Sequence, residues 1–275
     1  MLSDRPFIYA FGFPSALPWL TRLLLSAGLL GLGQPAAWAQ TTACEIKSTE
    51  YRRTTLELYT SEGCNSCPPA DQWLRRFRHS PLAQQVIPLA FHVDYWNQLG
   101  WADRFSRPQF TQRQQKAADR NRASFVYTPQ FLLDGKDIRP VYSADILKPR
   151  LDPIAQSAAQ ARISARIALE AGVGIRVSGD VHSDRRDTEV YVALYEHNLR
   201  SQVTRGENTG RALEHDYVVR AWAGPLRANG DHPTRLDALL AVPADARLPH
   251  VGVAIWAQDS RSGTVLQAAS KDACF

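Results

Sequence analysis

The chain has 275 residues, room for one large domain or two ordinary ones. Hydrophobic residues make up 44% and charged residues 21%, the mix of a globular protein with a real core, which excludes a disordered, collagen-like or low-complexity chain. The net charge of +5 is a mild excess spread along the sequence without a dense basic block, so no nucleic-acid partner is expected.

The N-terminal residues carry Arg5 and Arg22, followed by an apolar stretch from Leu23 to Leu32. Gly33-Gln34-Pro35 then interrupts it, and Ala37-Trp38-Ala39 has the A-x-A form. This order reads as a secretory signal peptide over residues 1–39, cleaved after Ala39. The apolar run of about ten residues is half of the ~20 that a spanning helix needs, and no later run approaches that length. The expectation is a periplasmic or secreted protein with no membrane span after cleavage, in a compartment where disulfides persist.

Four cysteines fall into two pairs. Cys64-Asn65-Ser66-Cys67 follows Thr54–Thr60, whose β-branched and aromatic content predicts a strand. It precedes Pro68-Pro69, which suits the first turn of a helix, and Trp73, Leu74 and Phe77 continue that helix with one apolar face. A thiol at a strand-to-helix turn meets the positive end of the helix dipole, which favours the thiolate that attacks disulfides. Cys64, nearer the turn, is the expected attacking sulfur and Cys67 the resolving one. The alternative is an inert structural disulfide. Tetrahedral structural zinc is not expected, because no second close Cys or His pair follows.

Val86 to Asp94 is a nearly continuous apolar run, as in a strand buried on both faces. A polar helix is predicted from Ser106 to about Arg122, then Thr128-Pro129, a strand at Phe131–Leu133, and a hairpin turn at Asp134-Gly135. Helical stretches from Ser143 to about Ala161 are cut by Pro149 and Pro153. The order strand, dithiol, helix, strand, helix, Thr-Pro, hairpin, helix matches the thioredoxin fold over residues 40–159, in which a Pro in a cis peptide opens a strand beside the dithiol. Pro129, after Thr128, takes that place. Beyond Ala159 the pattern changes. Ile163–Leu169, Ile175–Val181 and Val190–Tyr195 alternate, and His250–Gln258 and Thr264–Ala269 are further strands. Residues 160–275 are therefore expected to form a mostly antiparallel, sandwich-like β domain behind the α/β thioredoxin-like one.

The stretch Leu56–Asp71 resembles the signature of the DUF1223 family, secreted bacterial proteins of the thioredoxin-like superfamily. Ala90–Trp96 with Leu99-Gly100-Trp101, Val126–Gln130, Gly206–Arg211 and His215–Arg220 are similar to it as well. The resemblance implies the fold and the dithiol and stops short of a substrate.

Two functions stay open. One is a thiol–disulfide oxidoreductase using Cys64 and Cys67, with no cofactor and with protein thiols or disulfides and a redox partner protein as its partners. The other is a metal chaperone or protein-binding module whose dithiol is not catalytic. In that reading His92 joins Cys64 and Cys67 in a copper site, against the plainer view of His92 as a hydrogen-bonded core residue. Glu57, seven residues before Cys64, is a candidate to relay the Cys67 proton, or else a solvent-facing strand residue. Glu62 would oppose a Cys64 thiolate by its charge. The insert from Tyr95 to Phe105 holds four aromatics in eleven residues and either covers the dithiol or forms a substrate groove, or else is a satellite hydrophobic cluster. Cys44 and Cys274, the pair left over near the two ends, are expected to form a structural disulfide.

Overall fold

The computed structural model describes residues 43–139, 143–228, 230, 232–272 and 274–275, so the expected signal peptide lies outside the described residues. The first half holds β1 (Ala43–Lys47), β2 (Thr54–Thr60), α1 (Pro68–Arg75), β3 (Val86–His92), α2 (Pro108–Arg120), β4 (Gln130–Leu133), β5 (Lys136–Ile138) and α3 (Ala144–Ala155). The second half is all strand: β6 (Ala161–Glu170), β7 (Gly174–Ser183), β8 (Thr188–Glu196), β9 (Leu199–Gln202), β10 (Ala212–His215), β11 (Val218–Ala228), β12 (Thr234–Leu240), β13 (Val251–Asp259) and β14 (Val265–Asp272). The protein is thus β-rich, and no helix among the described residues is long and apolar enough to cross a membrane.

β2 and β3 are buried along their whole length and pair in parallel, Leu58 opposite Ala90, with α1 in the connection between them. β4 runs antiparallel to β2, with Tyr59 opposite Gln130. The two faces of this sheet carry different helices. Trp73 of α1 packs edge-on against Phe131, the partner of Leu58, so α1 lies on the Leu58 face. Glu57, Tyr59 and Phe91 face the other way, towards Phe110 and Arg113 of α2.

The described residues form one compact unit. Ala159, where the sequence reading expects a domain boundary, lies between α3 and β6, and the sheets run across that point. β11 pairs with β3 at Val218–Ala90, giving an eight-stranded sheet in the order β14-β13-β8-β11-β3-β2-β4-β5. In return β1 pairs antiparallel with β6, at the edge of a four-stranded sheet in the order β1-β6-β7-β12. The alternation of β8 explains the join. Val190, Val192 and Leu194 pack with the four-stranded sheet, while Tyr191, Ala193 and Tyr195 belong to the core shared with β2, β3 and α1. A strand that is apolar on both faces needs a layer on each side, and the first half supplies one of them.

Two further differences from the sequence reading have local causes. α3 is one helix running through Pro149 and Pro153. Each Pro lacks the N–H that would reach back one turn, a loss of order 3 kcal/mol in an isolated helix. Burial of Leu147 and Leu151 one turn apart holds the segment together. β9 to β12 were absent from the predicted strands. Gly224-Pro225 interrupts the alternation of β11 at a register shift between Ala223 and Leu226, and β9 and β10 are four residues each.

Cys44 and Cys274 are bonded, with Cα atoms 5.9 Å apart. The bridge ties the edge strand β1 to the segment after β14.

Candidate functional site

Cys64 and Cys67 are joined by a disulfide, with Cα atoms 5.4 Å apart. Cys67 is the N-cap residue of α1; its carbonyl accepts from the N–H groups of Ala70 and Asp71, and its own N–H donates to the Cys64 carbonyl. Pro68 and Pro69 occupy the first helical positions, where a missing N–H leaves nothing unpaired. The location expected from the sequence is therefore the location found. The accessibility is not: Cys64 is as fully buried as Cys67.

Two segments cover the turn. From one side comes the aromatic insert. A methyl added at Gly63 would stand 3.1 Å from Trp96 Cβ, and the Trp96 indole N–H donates to Thr128 Oγ1 at 2.8 Å. Trp96 so links the dithiol turn to Thr128 and Pro129, whose peptide bond is cis. From the other side comes the segment joining β9 to β10. The Asn208 side-chain amide donates to the carbonyls of Glu62 and Cys64, at 2.8 and 2.9 Å, and Glu207 accepts from the Asn65 N–H at 3.2 Å. The Gly206–Arg211 turn, for which the sequence reading holds no chemistry, thus lies over the cysteine turn as a lid.

Glu57 is not brought to the dithiol. It projects from the α2 face of β2, whereas the helix carrying Cys67 lies on the opposite face. Its carboxylate takes a two-pronged bond from Arg113, at 2.6 and 2.9 Å, and a third from the Tyr59 hydroxyl at 2.7 Å. Burial alone would raise its pKa; the Arg113 guanidinium and these bonds outweigh that and hold it below the ordinary carboxylate value. Arg113 also lies over the rings of Phe91, Tyr191, Trp222 and Trp256 at 4.8–5.6 Å. The proton-relay role expected of Glu57 therefore has no geometry; the residue anchors an ion pair that ties β2 to α2.

A polar cluster lies on the α1 side, beneath the cysteines. His92 Nδ1 is 2.7 Å from Asp103 Oδ2, and both side chains are inaccessible to solvent. Asp103 also accepts from the N–H groups of Glu62 and Phe105, both at 2.9 Å. Burial would raise the Asp103 pKa, but the neighbouring His92 and these donors lower it. An ionised Asp103 only accepts, so Nδ1 of His92 carries the proton in their bond. His215 sits between two acids, with Nε2 3.3 Å from Glu62 Oε1 and Nδ1 3.8 Å from Asp71 Oδ2. Burial opposes its protonation; Asp71 and Glu62 overcome that and push the imidazole up to about 10. Trp101 donates to Glu62 at 2.8 Å and Thr60 to Asp71 at 3.2 Å. The Glu62 charge, expected to face Cys64, is engaged with His215 and Trp101. Phe105 closes the cluster, its ring 5.3 Å from that of His92 and 5.8 Å from that of His215.

The insert expected to cover the dithiol or form a satellite cluster does the former with Trp96 and furnishes partners for the buried acids with Trp101. Among the described residues, the donor cluster with metal-binding spacing unites His92 with Asp71 and His215 rather than with Cys64 and Cys67. Asp71, Glu62, Asn208 and His215 all lie in segments that carried the resemblance, so the signal was present, but nothing in one sequence brings positions 71, 92 and 215 together.

Residues 55–258 match the family model described as protein of unknown function (DUF1223). The chain belongs to the DUF1223 family. Among solved structures, the X-ray structure of protein AGR_C_4864 from Agrobacterium tumefaciens is 26% identical, with a TM-score of 0.59 over 82% of this chain and 96% of that one. HBP35 of Porphyromonas gingivalis shares the fold at 12% identity, with a TM-score of 0.61 over 82% of this chain and 76% of its own. No curated protein matches the chain. The DUF1223 match spans both the dithiol turn and the lid, so the family's matched region contains the whole site.

Proposed function

We propose that this DUF1223 protein is a thioredoxin-like thiol–disulfide oxidoreductase of the periplasm or extracellular space, acting on protein thiols and disulfides. The observation that carries the reading is the bond between Cys64 and Cys67 across the N-cap of α1. The β2-α1-β3 unit, with β4 beginning just after Thr128-Pro129 beside β2, supports a thioredoxin-like domain over residues 40–159. The second disulfide, Cys44–Cys274, supports an oxidising compartment.

In the reducing direction the Cys64 thiolate attacks one sulfur of a substrate disulfide and expels the other as a thiolate. Cys67 loses its proton and attacks Cys64 in the mixed disulfide. The Cys64–Cys67 bond re-forms, and the substrate leaves with two electrons and, from solution, two protons. Oxidation of a substrate dithiol is the reverse. The α1 N-terminus stabilises the thiolate in either direction. Thr128 and Pro129 contribute the edge along which a substrate chain lies. Both sulfurs are buried, so the lid around Asn208 must lift before a protein substrate reaches Cys64.

The test is insulin reduction and oxidation of a dithiol peptide, together with the reduction potential of the Cys64–Cys67 couple. Activity in at least one assay, abolished by Cys64→Ser, is the expected outcome. Absence of exchange in both assays, from a folded protein whose dithiol cycles with dithiothreitol, would sink the proposal in favour of a binding module.

A further inference from the structure

We propose that Asp71, His92 and His215 form a binding site for a divalent transition-metal ion of the zinc class, buried beside the dithiol turn. The ligand atoms of Asp71, His92 and His215 all lie within 4.8 Å of one another, and the three residues are buried. A tetrahedral shell at 2.0–2.2 Å sets its donors roughly 3.4 Å apart, a contraction within the reach of side-chain rotation.

The donors are also primed. His92 donates its Nδ1–H to Asp103 in a hydrogen bond, which leaves Nε2 as the ring nitrogen free to ligate, and Nε2 has no hydrogen-bond partner among the described residues. A carboxylate behind a ligating histidine fixes its ring and raises its basicity, the usual support of a metal-bound imidazole. Asp103 is itself held by the Glu62 and Phe105 N–H groups, so that support is rigid. His215 is held between Glu62 and Asp71 without a hydrogen bond of sound geometry to either, and an ion bound at Nδ1 displaces its proton. A buried polar atom without a partner is costly to keep, and His92 Nε2 is such an atom.

Ligand type narrows the ion. Two imidazoles with one carboxylate suit a borderline ion such as Zn²⁺, whereas soft Cu(I) prefers the sulfurs, which are bonded to each other. A path exists: a cleft of about 160 Å³ lined by Asp71, Gln72, Arg75, Leu213 and His215 opens onto the site beside α1.

The purified protein with both disulfides formed, freed of metal by chelation, would be titrated with Zn²⁺ by calorimetry and with Co²⁺ by absorption. One ion per chain is expected. The Co²⁺ complex should show visible ligand-field bands without the intense near-ultraviolet sulfur band. His215→Gln and Asp71→Asn, checked for folding by circular dichroism, should each weaken Zn²⁺ binding at least tenfold. Should the variants unfold, the stoichiometry and Co²⁺ spectrum of the unaltered protein decide. Less than stoichiometric binding, affinity unchanged in folded His215→Gln, or a sulfur band would each overturn the site. The exchange assays read the cysteines alone, so failure of one proposal leaves the other standing.

Discussion

Asn208 donates its side-chain amide to the carbonyl oxygen of Cys64 at 2.9 Å, across 144 residues of sequence. With its second bond, to the Glu62 carbonyl, it pins the lid on both sides of Gly63. Each such bond contributes about 1 kcal/mol, and 1.4 kcal/mol is a factor of ten. Losing both bonds, about 2 kcal/mol, Asn208→Ala should therefore raise the rate at which dithiothreitol reduces the Cys64–Cys67 bond by roughly thirtyfold, with little change in its reduction potential. Stopped-flow reduction followed by thiol trapping measures this; an unchanged rate would show that the lid does not gate the sulfurs.

Trp96 makes a second gate from the opposite side. Thr128→Val keeps the shape of the side chain and removes the oxygen that accepts the indole N–H. The expected result is a red-shifted tryptophan emission and faster reaction of the disulfide with small thiols. Unchanged emission would mean that packing on Gly63 alone seats the loop.

Glu57 and Arg113 give a pH-dependent contribution to stability. The folded-state pKa of Glu57 lies below the ordinary 4.5. Its contribution is complete above that unfolded-state value and is lost as the pH falls through the folded one. Breaking a buried pair from one side costs about 3–5 kcal/mol, because the partner charge stays buried. Glu57→Gln should lower stability by that order at neutral pH and flatten the loss of stability below pH ~4.5. It should leave the pH profile of disulfide exchange in place. Denaturant melts across pH, beside an exchange-rate profile, test both halves; a displaced rate profile would restore the relay role.

The sequence carried the elements near the dithiol well, because local chemistry sets them. Pro68 and Pro69 start a helix wherever they stand after such a turn, and Val86 to His92 is too apolar to face water on either side. The union of the two halves was encoded more faintly, in the second apolar face of β8 formed by Tyr191 and Tyr195. An aromatic face on a strand reads equally well as half of a self-contained sandwich. The buried cluster was invisible for another reason. His92, Asp71 and His215 are drawn from β3, α1 and β10, and their convergence follows from the parallel pairing of β11 with β3, a long-range contact with no local signature. Glu57 misled because sequence distance to Cys64 says nothing of the face from which a strand residue projects.

The Cys44–Cys274 bridge allows a prediction that separates architecture from chemistry. β1 is held by a five-residue antiparallel ladder to β6, but it is an edge strand at one end of the described chain. A covalent hold besides the peptide chain is the bond from Cys44 to Cys274. Closing so long a loop restricts the unfolded chain, and disulfides of this kind contribute about 2–4 kcal/mol. At the usual 2–4 °C per kcal/mol for a chain of this size, Cys44→Ser with Cys274→Ser should lower Tm by roughly 5–15 °C. The loss should be concentrated at the edge: amide exchange ought to quicken first in Ala43–Lys47 and in the Ser164–Ala168 stretch of β6 that pairs with it. Thiol–disulfide exchange at Cys64 and Cys67 should persist at the wild-type rate below the new Tm, since those residues follow β2, which pairs with β3 and β4 and not with β1 or β6. Amide exchange with mass-spectrometric readout, run beside the dithiothreitol assay, checks the two statements together. Loss of dithiol reactivity in a folded double variant would show that the terminal bridge supports the redox turn as well as the edge.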